Sequence, residues 1–422
     1  MAQVDLAYGT GAFNFEYDES RFDLLEPVKT VSRPMADIEI NDAIDSPIGS
    51  RSIDDLVGNG DTVLIVVSDA TRATASAQII NLIVRRIIAA GVAPGGIGII
   101  FATGIHRPTT VEEKRMLLGQ FIFQRIRSFD HDALDASQLV NLGVTVSGTP
   151  VEVNRSLKEY SHVFLTGGIG FHYFAGYTGG RKSICPGLAS ARTITATHML
   201  ALDFENGGRR AGVGSGALTG NAVHDECIRI SDEIRPAFLV NSIVDEGGRP
   251  VSVFAGDWKL AHLQACAKYG DEHTAPINQK RSLVIASCGG SPYDINLIQA
   301  HKTLDMAAKA CNEGGAIVLV AACDDGLGRS DFLKWFSSAD SRSLALRLKT
   351  EYEVNGQTAW ALLTKAEAAR VILVSKLAPE VVTQMHMIPA RNIEEAISLA
   401  GMPNSGYIMP RGASVLPVLR TG

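Results

Sequence analysis

The six cysteines of this 422-residue chain (Cys185, Cys227, Cys266, Cys288, Cys311 and Cys323) include no CxxC pair and are widely scattered. That spacing excludes a thiolate zinc ribbon and a disulfide framework, and it fits a reducing cytosol. No block of Lys and Arg stands out, and 39 basic against 45 acidic residues give a formal charge of −6. Nucleic acid and anionic membrane are therefore not expected partners. Apolar runs such as 63–67 and 317–322 are strand-sized, far below the ~20 residues of a membrane span. The start, Met1-Ala2-Gln3-Val4-Asp5-Leu6, lacks a basic segment followed by an apolar one, so no secretory signal is expected. Internal repeats and low-complexity tracts are also lacking.

What is present is an ordinary soluble composition, 46% hydrophobic and 20% charged. At this length the chain exceeds one core, so two or three domains are expected. From Asp61 onward strand-like and helix-like patterns alternate. Residues 62–67 are a β-branched run, a helical stretch covers about 75–90, and 97–102 reads as the next strand. Such a βαβ unit is parallel and right-handed. Further strands are expected at 162–166, 283–287, 316–321, 371–375 and 414–419, and a hairpin at 237–244 and 251–255. Helices are expected at 188–200 and 258–269, and the glycine-dense 206–220 reads as a mobile or ligand-facing loop. Residues before about 60 show weak periodicity. The polar stretch 273–281 contains Pro276 and marks a boundary. The expected architecture is α/β, with domains at 1–273 and 274–422, mainly parallel sheets and an active-site cleft between the domains. The last residues are expected to pack back on the first domain.

Three polar clusters fall at strand carboxyl ends, where open α/β sheets hold their ligands. The first is Asp69-Ala70-Thr71-Arg72, whose arginine offers a planar fork for a carboxylate or phosphate. Alone, this turn serves equally well as a solvated loop with a helix cap. The second, Thr103-Gly104-Ile105-His106-Arg107, sets a histidine beside glycine as a candidate acid/base group. The third runs from His172 through Tyr173-Phe174-Ala175-Gly176-Tyr177-Thr178-Gly179-Gly180-Arg181-Lys182-Ser183, with His198 beyond it. Its Lys182-Ser183 is not the end of a phosphate-binding P-loop, because Arg181 stands where that motif needs glycine. A lysine on a glycine-rich turn can pair with an anion or become a covalent attachment point. Neutral imidazoles either side of it can ligate a metal or carry protons. A fourth group, Asp294-Ile295-Asn296-Leu297-Ile298-Gln299-Ala300-His301-Lys302, brings an amide and a cation to neighbouring helical positions. By itself that group reads as an ordinary polar face.

These motifs together resemble the lactate racemase family, across most of the chain. The resemblance implies a nickel-pincer nucleotide, a pyridinium bis-thiocarboxylate mononucleotide joined to Lys182 as a thioamide, with nickel held by the cofactor and by His198. Residues 1–273 are then the cofactor-binding domain, with Asp69, Ala70, Thr71 and Arg72 contacting the cofactor. His106 and His172 are the paired bases, and Arg72, Gln299, Lys302 and Trp360 orient a 2-hydroxy acid. The implied reaction is racemisation or epimerisation at C2 through a 2-keto acid, by an isomerase in the cytoplasm that depends on cofactor-making enzymes for maturation. The chain departs from the lactate enzyme at Ile298, where a tyrosine is expected beside Gln299. That leaves the substrate open among lactate, malate, longer aliphatic or aromatic hydroxy acids and sugar acids. Two rivals from other classes are a pyridoxal-phosphate racemase with Lys182 as Schiff base, and a non-catalytic nucleotide- or hydroxy-acid-binding protein.

Overall fold

The computed structural model describes residues 1–28, 33–403 and 405–420. The chain forms two compact units. One comprises Val31–Ala201 with Ala211–Gly270, the other Met1–Thr30, Leu202–Arg210 and Asp271–Gly422. The expected division at 273/274 lies close to the crossing at 270/271. The N-terminal segment and Leu202–Arg210 are counted with the C-terminal unit.

The first unit is built on a six-stranded sheet in the order Pro250–Gly256, Phe238–Val244, His162–Gly168, Val63–Ser68, Ile97–Ala102, Arg127–Asp130. Only the Pro250–Gly256 edge strand is antiparallel; every other neighbour is parallel. A sheet covered on both faces needs continuous apolar strands, and Val63, Leu64, Ile65, Val66 and Val67 are all fully buried. The helix Ser76–Ala89 turns Ile79, Ile80, Ile83 and Ile87 onto this core. Each such side chain contributes about 1.5–3 kcal/mol by leaving water. The strand order reverses between Val63–Ser68 and His162–Gly168, and ligands of open α/β sheets bind outside the carboxyl ends at such a point.

The second unit carries an all-parallel sheet in the order Ile388–Ala390, Arg370–Val374, Cys311–Val320, Arg281–Ser287, Gly406–Met409, Phe22–Leu24. The helix Leu297–Ala310 follows its Arg281–Ser287 strand. Leu416–Leu419 pairs in parallel with Thr274–Ile277 within this unit. The weakly patterned N-terminus is a regular hairpin, Ala2–Tyr8 against Gly11–Tyr17, with Leu6 and Tyr17 buried in the second core.

The strands expected at 62–67, 97–102, 283–287 and 316–321 and the hairpin at 237–255 are present within a few residues. The helix expected at 188–200 starts later, at Ala191, because Ser190 caps it by accepting from the amide of Thr193 at 3.1 Å. Within the glycine-dense 206–220, Gly208–Arg209 pairs with Leu202–Asp203 and Arg209 is bound to Asp305 at 2.7 Å. That part of the segment is fixed rather than loose. Among the described residues, no helix is long and apolar enough to cross a membrane.

Candidate active site

Three segments leave the carboxyl ends of neighbouring strands in the first unit. After Val63–Ser68 the chain makes an Asx turn. Thr71 donates its amide (3.0 Å) and hydroxyl (2.6 Å) to Oδ1 of Asp69. After Ile97–Ala102, Gly104 adopts φ +55° and donates its amide to the carbonyl of Gly187 at 2.9 Å. Only glycine holds that backbone without strain. The turn brings Nδ1 of His106 to 2.6 Å from Oδ2 of buried Asp69. Burial alone would raise the Asp69 carboxyl, but the His106 bond and charge, with help from Thr71 and Arg72, hold it below the usual carboxylate range. The carboxylate therefore accepts a hydrogen bond from Nδ1–H of His106, which leaves the ring lone pair on Nε2, on a ring that is half exposed.

After His162–Gly168, Phe171–His172 pairs with Gly176–Tyr177 in a tight hairpin. Its tip amides, Phe174 and Ala175, donate to Nδ1 of His172 at 3.5 and 3.3 Å. With Nδ1 as acceptor of both amides, the ring proton of a neutral His172 sits on Nε2. A short 3₁₀ turn, Gly180–Ser183, then presents Lys182.

The hub is Phe174. Its ring centroid lies 4.4 Å from that of His172, 4.8 Å from that of His198 and 5.5 Å from Nζ of Lys182. Sequence reasoning quoted Phe174 inside the motif without giving it a part, and an apolar residue between two histidines carries no signal of its own.

The electrostatics of this group are unusual. Burial, then the charges of Arg181 and Arg72, push the Lys182 amine down to about 8. Burial, then the Lys182 charge, pushes His198 down to about 3. His198 is thus a neutral imidazole, and both its ring nitrogens are buried without a hydrogen-bond partner among the described residues. Arg181 is fully buried among His262, Ala175 and Gly179. Among the described residues, it forms no ion pair with a carboxylate. Thiols act on it instead, and Cys227, hydrogen-bonded by Cys185, is lowered to about 7. Arg181 and its thiols form a support beneath Lys182 that the sequence did not signal.

The guanidinium of Arg72 makes no hydrogen bond or ion pair among the described residues, so its planar fork is free for an anion. The other predicted residues lie in the second unit. Asn296 caps the Leu297–Ala310 helix through the amide of Gln299 at 3.0 Å. Lys302 Nζ donates to Oε1 of Gln299 at 2.6 Å. The helical reading of that motif holds, and with Oε1 taken by Lys302 the Gln299 amide nitrogen is the side chain's remaining donor. Trp360 is buried, and its indole N–H lacks a partner among the described residues. Asp294 is a staple: Oδ2 accepts the amides of Gly9 at 2.7 Å and Ala322 at 3.0 Å.

Residues 8–208 match the lactate racemase N-terminal domain and residues 277–416 the lactate racemase C-terminal domain. The lactate racemase of Lactiplantibacillus plantarum is 31% identical, over 99% of this chain and 100% of its own. That of Thermoanaerobacterium thermosaccharolyticum is 30% identical, over 99% of both chains. The chain belongs to the lactate racemase family. The apoprotein structure of the T. thermosaccharolyticum enzyme superposes with TM-score 0.90 at 29% identity, covering 99% of this chain and all of the other. A Thermotoga maritima protein shares only the fold, at TM-score 0.69 and 17% identity, covering 93% of this chain and all of that one. As a member of the lactate racemase family, the protein is an isomerase, a racemase or epimerase acting on hydroxy acids.

Family membership implies a nickel-pincer nucleotide, and the residues present fit one. A metal needs a neutral imidazole with an available lone pair, and His198 has two buried nitrogens with no other use. A covalent tether needs an amine that sheds its proton near neutral pH, and Lys182 is such an amine.

Proposed function

We propose that this protein inverts C2 of a lactate-like 2-hydroxy acid, using a nickel-pincer nucleotide held by Lys182 through a thioamide and by His198 as the protein ligand to nickel. The arrangement of Lys182, His198 and His172 around the Phe174 ring carries this reading. When bound, the nucleotide supplies the acceptor and donor of the C2 hydride, so the acid passes through its 2-keto form.

The chain's own groups do the rest. Arg72 receives the substrate carboxylate in a bidentate fork, and its charge also disfavours protonation of Lys182. His106 removes the hydroxyl proton through Nε2, and the Asp69 carboxylate balances the imidazolium that results. His172 presents its own Nε2, held by the two amides at the hairpin tip, as the second proton-transfer group. Two such groups let a hydroxyl proton be removed and returned on different sides of a planar carbonyl. Gln299 and Lys302 give the acid further donors, and Trp360 packs beside it. Of two readings with a lysine tether, nickel rather than pyridoxal phosphate is favoured by the unpartnered His198, which a Schiff base would leave idle.

The test is to load the apoprotein with the matured cofactor and follow a single enantiomer by chiral chromatography. The expected result is an intact mass increased by the nucleotide on Lys182, stoichiometric nickel and inversion at C2. Full activity in an unmodified, nickel-free polypeptide would sink the reading.

A further inference from the structure

Two residues outside every motif of the sequence meet at the turn that presents Lys182. Asn241 lies on the Phe238–Val244 strand and His262 near the start of the helix Leu260–His273, and both are fully buried. Backbone groups fix the Asn241 carboxamide. Its Nδ2 donates to the carbonyl of Gly167 at 3.2 Å, and its Oδ1 accepts the amide of Gly180 at 3.1 Å. The same oxygen lies 3.2 Å from Nδ1 of His262, whose Nε2 lies 2.8 Å from Nη1 of Arg181. A guanidinium only donates and a carbonyl oxygen only accepts. One tautomer of His262 satisfies both bonds, with the proton on Nδ1 and the lone pair on Nε2. Burial, then the charges of Arg181 and His224, hold His262 well below its ordinary value, so the ring stays neutral. Cys266 Sγ lies 3.4 Å from the same Nε2, but burial pushes that thiol up to about 12 and it brings no charge.

This chain of bonds reaches two side chains of the site. Gly180 adopts φ +53°, and a Cβ there would sit 2.6 Å from the His262 ring. The turn before Lys182 is therefore seated on the imidazole, and only glycine allows it. Arg181, held by His262 through Nη1, donates through Nη2 to the carbonyl of Ala175 at 2.6 Å. Ala175 is the hairpin residue whose amide donates to Nδ1 of His172. One guanidinium thus ties the neighbour of Lys182 to the residue that orients His172. A fully buried cation without a carboxylate is costly to keep, and packing alone does not call for one.

We propose that Asn241 and His262 are positioning residues for this reaction: through Arg181 they hold the Lys182 turn and the His172 hairpin in fixed relation to one another. Asn241 sets the His262 tautomer, the lone pair on Nε2 aims Arg181, and Arg181 pins Ala175 beneath His172. This rests on the roles proposed above for Lys182 and His172 and adds the residues that align them.

The test begins with ring-nitrogen NMR of the wild-type apoprotein, where His262 should carry its proton on Nδ1. A proton on Nε2 overturns the proposal. His262→Phe keeps the bulk of the ring and removes both nitrogens, whereas His262→Gln returns an acceptor to the place of Nε2. In folded His262→Phe the Nδ1 signal of His172 should move toward that of an unbonded nitrogen. Adduct formation on Lys182, read by intact mass, and kcat of the loaded enzyme should each fall by about tenfold or more, with KM little changed. His262→Gln should restore most of both rates. A His262→Phe protein that is less stable to urea but keeps the His172 signal and both rates would make the chain structural only, and a Gln variant as slow as Phe would remove Nε2 from it. Should His262→Phe not fold, Asn241→Ala takes its place, with the same shift and the same two losses expected. Wild-type protein that never loads defeats the parent reading alone, because the His262 and His172 signals are read without cofactor and still decide this one.

Discussion

The carboxylate of Asp69 joins two turns from adjacent strands, with Oδ2 on Nδ1 of His106 at 2.6 Å and Oδ1 on Thr71. A cofactor contact was expected of Asp69. The structure adds an orienting bond to His106, the proposed proton-transfer group, in the arrangement that fixes a histidine tautomer.

Replacement of Asp69 by Asn tests that bond. The amide can offer its own N–H to Nδ1, driving the ring proton to Nε2 and removing the lone pair needed there. Turnover of loaded enzyme should fall by about a hundredfold or more, while the adduct on Lys182 still forms. Ring-nitrogen NMR of the apoprotein should show the His106 tautomer reversed. An unchanged tautomer would reduce Asp69 to a cofactor contact.

His198 implies a trade between stability and function. Its two buried nitrogens lack partners among the described residues, and a buried polar atom left unpaired costs about 1–3 kcal/mol. His198→Leu, of similar size, should therefore unfold at higher denaturant concentration than the wild-type apoprotein, by about 1–2 kcal/mol. The same variant should lose nickel. A destabilised His198→Leu apoprotein would mean that the imidazole is already satisfied without metal.

Lys182 should show its environment in the pH dependence of attachment. With the amine pushed down to about 8, by burial first and by Arg181 and Arg72 after it, the neutral nucleophile accumulates early. The rate of adduct formation, read by intact mass, should climb to about pH 8 and then level off. An ordinary lysine would keep gaining toward about 10.4. A continued climb past pH 9 would show that the amine is not depressed.

The sequence disclosed these features unevenly. The buried strands were legible because a parallel sheet covered on both faces demands unbroken runs such as Val63–Val67. The glycine-to-lysine segment was legible because a covalent site needs unusual backbone beside a nucleophile. The N-terminal hairpin was not legible. Val4 and Leu6 alternate with Asp5, and Phe13, Phe15 and Tyr17 with Asn14 and Glu16, but each alternation is only a few residues long and was set aside as weak periodicity. The pairing of Phe22–Leu24 with Gly406–Met409 joins positions nearly the whole chain apart, and no local pattern announces such a partner. The Asp69–His106 bond and the Phe174 hub arise likewise from strand order rather than spacing. The same holds for the buried charge at Asp305.

Asp305 is 3% exposed and holds two cations, Arg209 at 2.7 Å and Lys365 at 2.8 Å. Burial favours its neutral form, but the Lys365 and Arg209 charges win, and the carboxyl is held far below the usual range. A carboxyl lowered on folding adds stability above its unfolded value of about 3.9, and that stability is lost as pH falls through the folded value. Asp305→Asn removes the anion and leaves two poorly solvated cations, which should cost about 3–5 kcal/mol at neutral pH. Lys365 offers a partial escape, because burial, its largest influence, already pushes its amine down to about 8. Without Asp305 that amine should lose its proton more readily still. The deficit of Asp305→Asn against wild type should therefore shrink between pH 7 and about pH 9, as the lysine discharges. Urea titrations of both apoproteins at the two pH values measure this, and a deficit that grows with pH would contradict the assignment of Lys365 as the yielding partner.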